Sequence, residues 1–243
     1  MDRSNPLTVG MQWLLNFNGS QVVDLANGLA VTATGVAPVV YGNFGRGVVT
    51  TAGTTNWTLP DSAITKNTGA ITAFSFTGAP TALNAGVIKS SSTGANNNEY
   101  NLGWNSSSWD CSFVRAGSGS NSTAFMNANA FTGKANNAFV AVSCPDGVVS
   151  NVANWKFYLK GVLQTTFVSA TGTGNVITSP APVRLNTNAS AQTAAGTYCL
   201  VGIMNRALSD AEHWSLGQNP WQLFAPIKPV IYNFPSLQVG GLR

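Results

Sequence analysis

The chain has 243 residues, a formal net charge of +4 and only 8% charged residues, while 44% are hydrophobic. Seven Trp and twelve Phe exclude a disordered composition. Lys and Arg are scattered, with no basic run and no arginine-rich arm, which argues against nucleic acid as a partner.

Other classes fall away on the same grounds. No stretch approaches the roughly 20 apolar residues of a membrane-spanning helix, so no membrane partner is expected. The first residues, MDRSNPLTVGMQWLL, lack a charged region followed by a long apolar run, so no signal peptide is expected. Cys111, Cys144 and Cys199 are odd in number and widely spaced. They fit neither a metal-ligand pattern nor a disulfide framework, and are expected to be small buried thiols. Asparagine alone outnumbers lysine and arginine together, so the surface is solvated by amides and hydroxyls.

In chain order, residues 1–12 carry Pro6 and Gly10 with little periodicity and read as an N-terminal arm. Gln12-Trp13-Leu14-Leu15-Asn16-Phe17 starts the folded domain, and Asn18-Gly19 is a turn signal. Asp24-Leu25-Ala26-Asn27-Gly28 reads as another turn, followed by the strand Phe44-Gly45-Arg46-Gly47-Val48-Val49. Residues 69–77, GAITAFSFT, alternate strictly, with Ile71 and Ala73 on one face and Thr72, Phe74 and Phe76 on the other. That pattern predicts a half-buried strand.

Val87-Ile88 and the run from Tyr100 to Trp104 follow as strands, separated by the polar loop Ser90–Asn98. A second polar loop spans Gly117–Ser122. Residues 138–144 and 154–163 form a strand pair, with Asp146-Gly147 as a turn signal. Residues 183–186 add another strand.

One segment reads as a well-bounded helix. Ser209 is an N-cap, and Glu212 three residues later completes a capping box. Asp210 and Glu212 put negative charge on the first turn, and Gly217 with Asn219-Pro220 marks the end. So short a helix is unstable alone in water. Leu208, Trp214, Leu216, Trp221, Leu223 and Phe224 therefore read as its docking surface, with Trp221 as a core plug. Residues 227–243 follow as a C-terminal arm or added strand, centred on Val230–Phe234.

The end of the chain also carries a resemblance. Asn205-Arg206-Ala207-Leu208-Ser209, Ala211-Glu212, and Asn219-Pro220-Trp221-Gln222-Leu223-Phe224-Ala225-Pro226 resemble the close of a laminin-G-like domain, of the concanavalin A-like lectin/glucanase superfamily. The variant it looks like is common in bacteriophage virion proteins. Phe44–Val49, the 69–77 strand, the 138–163 hairpin and Val183–Asn186 are similar to further strands of that family. The resemblance covers roughly Trp13 to Pro226. It implies an all-β, concanavalin A-like (laminin-G-like) jelly-roll β-sandwich over 13–226, with one short C-terminal helix.

The same resemblance implies a non-enzymatic structural protein of a bacteriophage virion, made in the host cytoplasm and contacting other virion proteins and sister subunits as a homo-oligomer. Glycosidases of this fold use E-x-D-x-x-E on one strand. Here Glu99 and Glu212 are the only glutamates and Glu212 belongs to the cap, so no catalytic residues are expected. His213, the only histidine, sits in the helix and reads as structural rather than as part of a Ser-His-acid triad. Asp61, Asp110 and Glu99 are the acids from which a rim calcium site would be built. So few acids make it the weaker expectation, so no metal or cofactor is predicted.

The alternative function is a carbohydrate-binding adhesin module attaching to host-surface glycans. Sugars take an aromatic platform ringed by amides, and Trp104 and Trp109 with Asn97 and Asn105 supply those groups. Trp57 and Trp155 read as core.

Overall fold

A computed structural model describes residues 1–17, 21–35, 38–42, 45–50, 55–66, 69–77, 85–90, 98–105, 108–114, 121–126, 138–145, 155–164, 167–171, 180–186 and 196–224. Asn97, Phe44, the turn signals at 18–19 and 146–147, and the C-terminal arm at 227–243 lie outside them.

The described chain forms two antiparallel sheets, as expected of a lectin-like jelly-roll sandwich. Sheet A holds β1 (Met11–Asn16), β2 (Val23–Asp24), β4 (Val39–Gly42), β5 (Gly45–Thr50), β7 (Ile71–Thr77), β12 (Ala138–Cys144), β13 (Lys156–Leu159), β14 (Val162–Gln164) and β17 (Gly196–Met204). Its order is β14-β13-β12-β7-β17-β1-β2, with β5 pairing the start of β17 and β4 pairing β5. Sheet B holds β3 (Thr32–Thr34), β6 (Asn56–Leu59), β8 (Ala85–Ser90), β9 (Asn98–Asn105), β10 (Ser108–Val114), β11 (Asn121–Met126), β15 (Phe167–Thr171) and β16 (Val183–Leu185). Its order is β15-β11-β10-β9-β8-β16-β6-β3.

The layer between the sheets is filled by alternate residues of each strand. Trp13, Leu15, Ile71, Val140 and Val201 come from sheet A, and Trp57, Leu59, Leu102, Val183 and Leu185 from sheet B. Phe17 meets Trp57 edge-on at 4.9 Å between centroids. Trp57 and Trp155 are buried, as the sequence suggests. So are the thiols of Cys144 and Cys199.

Sheet A is also apolar on its outer face, where Leu14, Phe74, Phe76, Phe139 and Leu200 form a second core. The strand at 71–77 is therefore buried on both faces, not on one: every residue from Ile71 to Phe76 is buried. The helix α1 (Asp210–Gln218) and a 3-10 turn, Pro220–Leu223, cover this face. The capping box forms as expected, with Ser209 N donating to Glu212 Oε2 at 2.8 Å and Glu212 N to Ser209 Oγ at 3.3 Å.

Two features of the docking differ from expectation. Gly217 does not end the helix; Asn219 caps it, its N–H bonded to Ser215 O. Gly217 is instead a contact point. A Cβ there would meet Lys160 C and Gly161 N at 2.5 Å. Gly161 in turn approaches the helix backbone, its own Cβ position lying 2.6 Å from His213 O. Lys160 and Gly161 both have positive φ, 52° and 80°, as a type I′ turn between β13 and β14 requires. Second, Leu216 and Leu223 fill the outer core, whereas Trp221 is only half-buried against Phe224 and Trp214 is 53% exposed.

The N-terminal segment is docked on its own domain. Asn5 caps the 3-10 turn Pro6–Thr8 and also donates to Gln222 O at 2.7 Å, while Asp2 N donates to Leu223 O at 2.9 Å. Leu7 and Met11 join the outer core. Residues 1–12 thus brace the helix region.

Leu223→Ala should lower stability by about 2–5 kcal/mol, as for other large-to-small core changes. Trp221→Ala should cost clearly less. Gly217→Ala should cost about 1–3 kcal/mol through forced displacement of the helix. Urea titrations of the three variants test the ranking.

Candidate functional site

The polar groups beneath the helix form a connected side-chain network. Thr72 on β7 and Ser143 on β12 are cross-strand partners on the outer face of sheet A. Their hydroxyl oxygens are 2.7 Å apart, and Ser143 Oγ lies 2.7 Å from His213 Nε2. Tyr158 stacks on the His213 ring at 3.6 Å between centroids, the two planes nearly parallel at 17°. All three of Thr72, Ser143 and His213 are buried, His213 with no exposed surface.

The direction of these hydrogen bonds follows from one carbonyl. Thr72 Oγ1 donates to Arg206 O at 2.8 Å, since a carbonyl can only accept, and it accepts from Leu208 N at 3.0 Å. Its single proton is thereby used, so Ser143 donates to Thr72. Ser143 then has only lone pairs left for the imidazole, and His213 must donate from Nε2. The relay runs His213 Nε2–H to Ser143, Ser143 to Thr72, Thr72 to the backbone.

That polarity is the reverse of nucleophilic activation, which needs a bare Nε2 facing the hydroxyl and Nδ1–H held by a carboxylate. Here Nδ1 has no hydrogen-bond partner among the described residues. Asp210, the nearest acid on the helix, is taken by Tyr158 OH at 2.7 Å and Lys156 Nζ at 2.9 Å. These two hydrogen bonds, that of Lys156 first, hold its carboxyl below the usual range. The Ser143–His213 pair is a structural dyad joining helix to sheet. Sequence reasoning assigns His213 a structural role but finds no partner for it.

Burial pushes the His213 imidazole down to about 3, against smaller opposing pulls from Asp210 and Glu212. The ring is neutral in the fold. At Glu212, burial alone would raise the carboxyl, but the Arg206 guanidinium and the Ser209 N–H and O–H together hold it down to about 2. Arg206 bridges Glu212 at 2.8 Å and donates to Val9 O at 2.7 Å and Pro6 O at 3.2 Å, tying the N-terminal segment to the helix start.

The residues expected to bind glycan lie on sheet B. The β9–β10 hairpin pairs Trp104 directly with Trp109, and Asn105 with Ser108 beside them at the hairpin end. Both tryptophan positions fall on the strand face that also carries Leu102, two residues before Trp104 and opposite Cys111. The fold thus pairs Trp104 with Trp109 on the face that carries the inter-sheet residue Leu102, whereas Asn105 falls on the opposite face; Asn97 lies outside the described residues.

Asp61, proposed as a calcium ligand, lies 3.7 Å from Lys66. No group of three His, Cys, Asp or Glu able to hold a metal occurs among the described residues. Asp24 shows how the few acids are used. Its carboxylate accepts from the backbone N–H of Leu14, Ala26, Asn27 and Leu29 at 2.9–3.3 Å, forming the turn expected at 24–28. A cleft of about 570 Å³ beside that turn is lined mainly by apolar residues, including Val22, Leu29 and Val31.

Neither a protein-family model nor a curated protein matches the sequence. Solved structures do match, and they share the fold. The binding domain of Paraclostridial Mosquitocidal Protein 1 superposes with a TM-score of 0.64 at 12% identity, over 87% of this chain and 52% of that one. The Botulinum neurotoxin serotype G binding domain gives 0.62 at 12%, over 86% and 50%. The chain thus spans about half the length of these toxin domains. Domain 4 of AbnA, a GH43 extracellular arabinanase from Geobacillus stearothermophilus, solved with arabinotriose, gives 0.55 at 17%, over 86% of this chain and 98% of that one. These likenesses establish a lectin-like β-sandwich.

The relay predicts a specific acid response. His213 has a folded pKa below its unfolded value of about 6.5, so its contribution is complete above that pH and is lost as pH falls toward 3. Glu212 acts in the same direction but only below about 4.5. Stability should therefore fall between pH 6.5 and 5 in the wild type, and this slope should vanish in His213→Gln. Thermal melts across that window measure it.

Proposed function

We propose that this chain is a non-catalytic carbohydrate-binding module. The observation that carries this reading is the fold shared with a domain solved with arabinotriose; the candidate sugar platform within it is the Trp104–Trp109 cross-strand pair near the end of the β9–β10 hairpin. Where the hairpin end leaves them uncovered, paired indoles offer apolar faces to the C–H side of a sugar ring. The comparisons support the class. A domain of matching length was solved with arabinotriose, and a related toxin binding domain was solved in complex with SialylT. The polarity of the Ser143–His213 dyad and the scarcity of acids also favour binding over hydrolysis.

A site without a carboxylate holds sugar by amide and hydroxyl contacts alone, so each copy binds weakly and several copies act together. The setting we propose, a bacteriophage particle whose sister subunits supply those copies and whose targets are host-surface glycans, rests on the resemblance of the sequence alone.

A glycan array probed with a multivalent preparation should show binding, and Trp104→Ala and Trp109→Ala should each reduce it at least tenfold while the melting temperature stays nearly unchanged. Unfolding of both variants would mean that the indoles are core groups. Silence of the multivalent wild type across neutral and acidic glycans would refute the module reading.

A further inference from the structure

The hairpin formed by β4 and β5 carries the inner face of sheet A beyond the layer that covers it. Its partners are Val39 with Val48 and Tyr41 with Arg46, so these four positions share one face. Val48 is 1% exposed within the inter-sheet layer. One step along, Val39 is 36% exposed, and Tyr41 reaches 80%. Arg46 is exposed too, its guanidinium carbon 5.9 Å from the Tyr41 ring centroid.

This arrangement is fixed at its base. β5 pairs with the start of β17 through Val48, Val49 and Thr50. A Cβ at Gly47 would meet Tyr198 O at 2.6 Å, so the hairpin is seated too closely on β17 to admit any side chain there. A seated hairpin presents the ring and the guanidinium already in register, which lowers the ordering cost of a ligand.

Among the described residues, the charge environment leaves Arg46 without a carboxylate partner, as it does Arg3 and Lys160. Arg206, Lys156 and Lys66 each have a carboxylate partner, at 2.8, 2.9 and 3.7 Å. Arg46 has none among the described residues, in a chain with eight acids in all. A planar guanidinium matches a carboxylate through two parallel N–H donors, and an exposed phenol ring offers a face for the C–H side of a pyranose.

We propose that Tyr41 and Arg46 form a subsite for a carboxylated sugar, with the sugar ring against Tyr41 and its carboxylate on Arg46. This rests on the carbohydrate-binding reading and gives it a ligand class: glycans bearing sialic or uronic acid. The subsite is separate from the Trp104–Trp109 pair, which lies on the other sheet.

The test uses the multivalent full chain on matched glycans that differ only in the carboxylate: sialylated and uronic-acid-terminated forms, their neutral counterparts and their methyl esters. The carboxylated forms should bind at least tenfold better than neutral or esterified ones, and increasingly so as salt is lowered. Arg46→Gln should remove that preference, Arg46→Lys should restore part of it, and Tyr41→Ala should weaken binding without changing the melting temperature. The sialyl and uronyl arms identify the source of the carboxylate. Equal binding of matched pairs, or an unchanged preference in Arg46→Gln, would overturn the subsite while leaving the module reading intact. Competition by a sugar-free acidic peptide at equal concentration would overturn it in favour of a peptide ligand. Silence across every glycan would overturn both.

Discussion

Sheet A is apolar on both faces, and the fold must cover the outer one. A single sandwich buries only the faces between its sheets, so Phe74, Phe76 and Phe139 require a third layer. That layer is a helix of nine residues, too short to hold itself in water. Its position is therefore set by what it touches: Leu216 and Leu223 in the apolar face, Gly217 against Gly161, and His213 in the relay to Ser143 and Thr72. The N-terminal segment then closes over the same region through Asn5, Arg206 and the backbone of Leu223.

The relay also bears on function. A serine and a histidine at 2.7 Å look at first like hydrolytic machinery. The proton count decides otherwise, because Thr72 is committed to Arg206 O and forces every donor upstream to point the same way. With that pair assigned to structure, the carbohydrate-binding module we propose draws its candidate groups from the strand ends and hairpins. Among these, Tyr41 is exposed, and Trp104 pairs with Trp109 one step from the end of the β9–β10 ladder. The fold supplies the scaffold; the ligand class depends on those few side chains.

The local chemistry was legible in the sequence. Ser209 and Glu212 form their reciprocal cap, Asp24 organises its turn, and the alternation at 69–77 sorts Ile71 and Ala73 from Phe74 and Phe76 into two separate cores. Asn186 takes φ 58° and is held by Thr55 O and Tyr198 OH; asparagine is among the few residues that tolerate that conformation. What escaped was long-range. His213 and Ser143 are 70 residues apart, and no periodicity joins them. Gly217 carries the sequence signature of a helix stop, yet its use is close approach to a turn 56 positions earlier. The choice of Leu223 over Trp221 as the buried anchor depends on the rotation of a 3-10 turn, which composition does not specify. Of the glycan candidates, the pairing of Trp104 with Trp109 could be anticipated from a hairpin around Asn105–Ser108, whereas the Tyr41–Arg46 pair required the register of β4 on β5.

The central claim is that His213 is a neutral donor locked into the sheet rather than a base poised over Ser143. Nitrogen-15 NMR of the imidazole reads this directly, and the chain's single histidine makes the assignment unambiguous. The account predicts a protonated Nε2 and an unprotonated Nδ1, with both shifts constant from pH 8 to pH 5. A protonated Nδ1 with a bare Nε2, or a titration centred near pH 6.5, would contradict it.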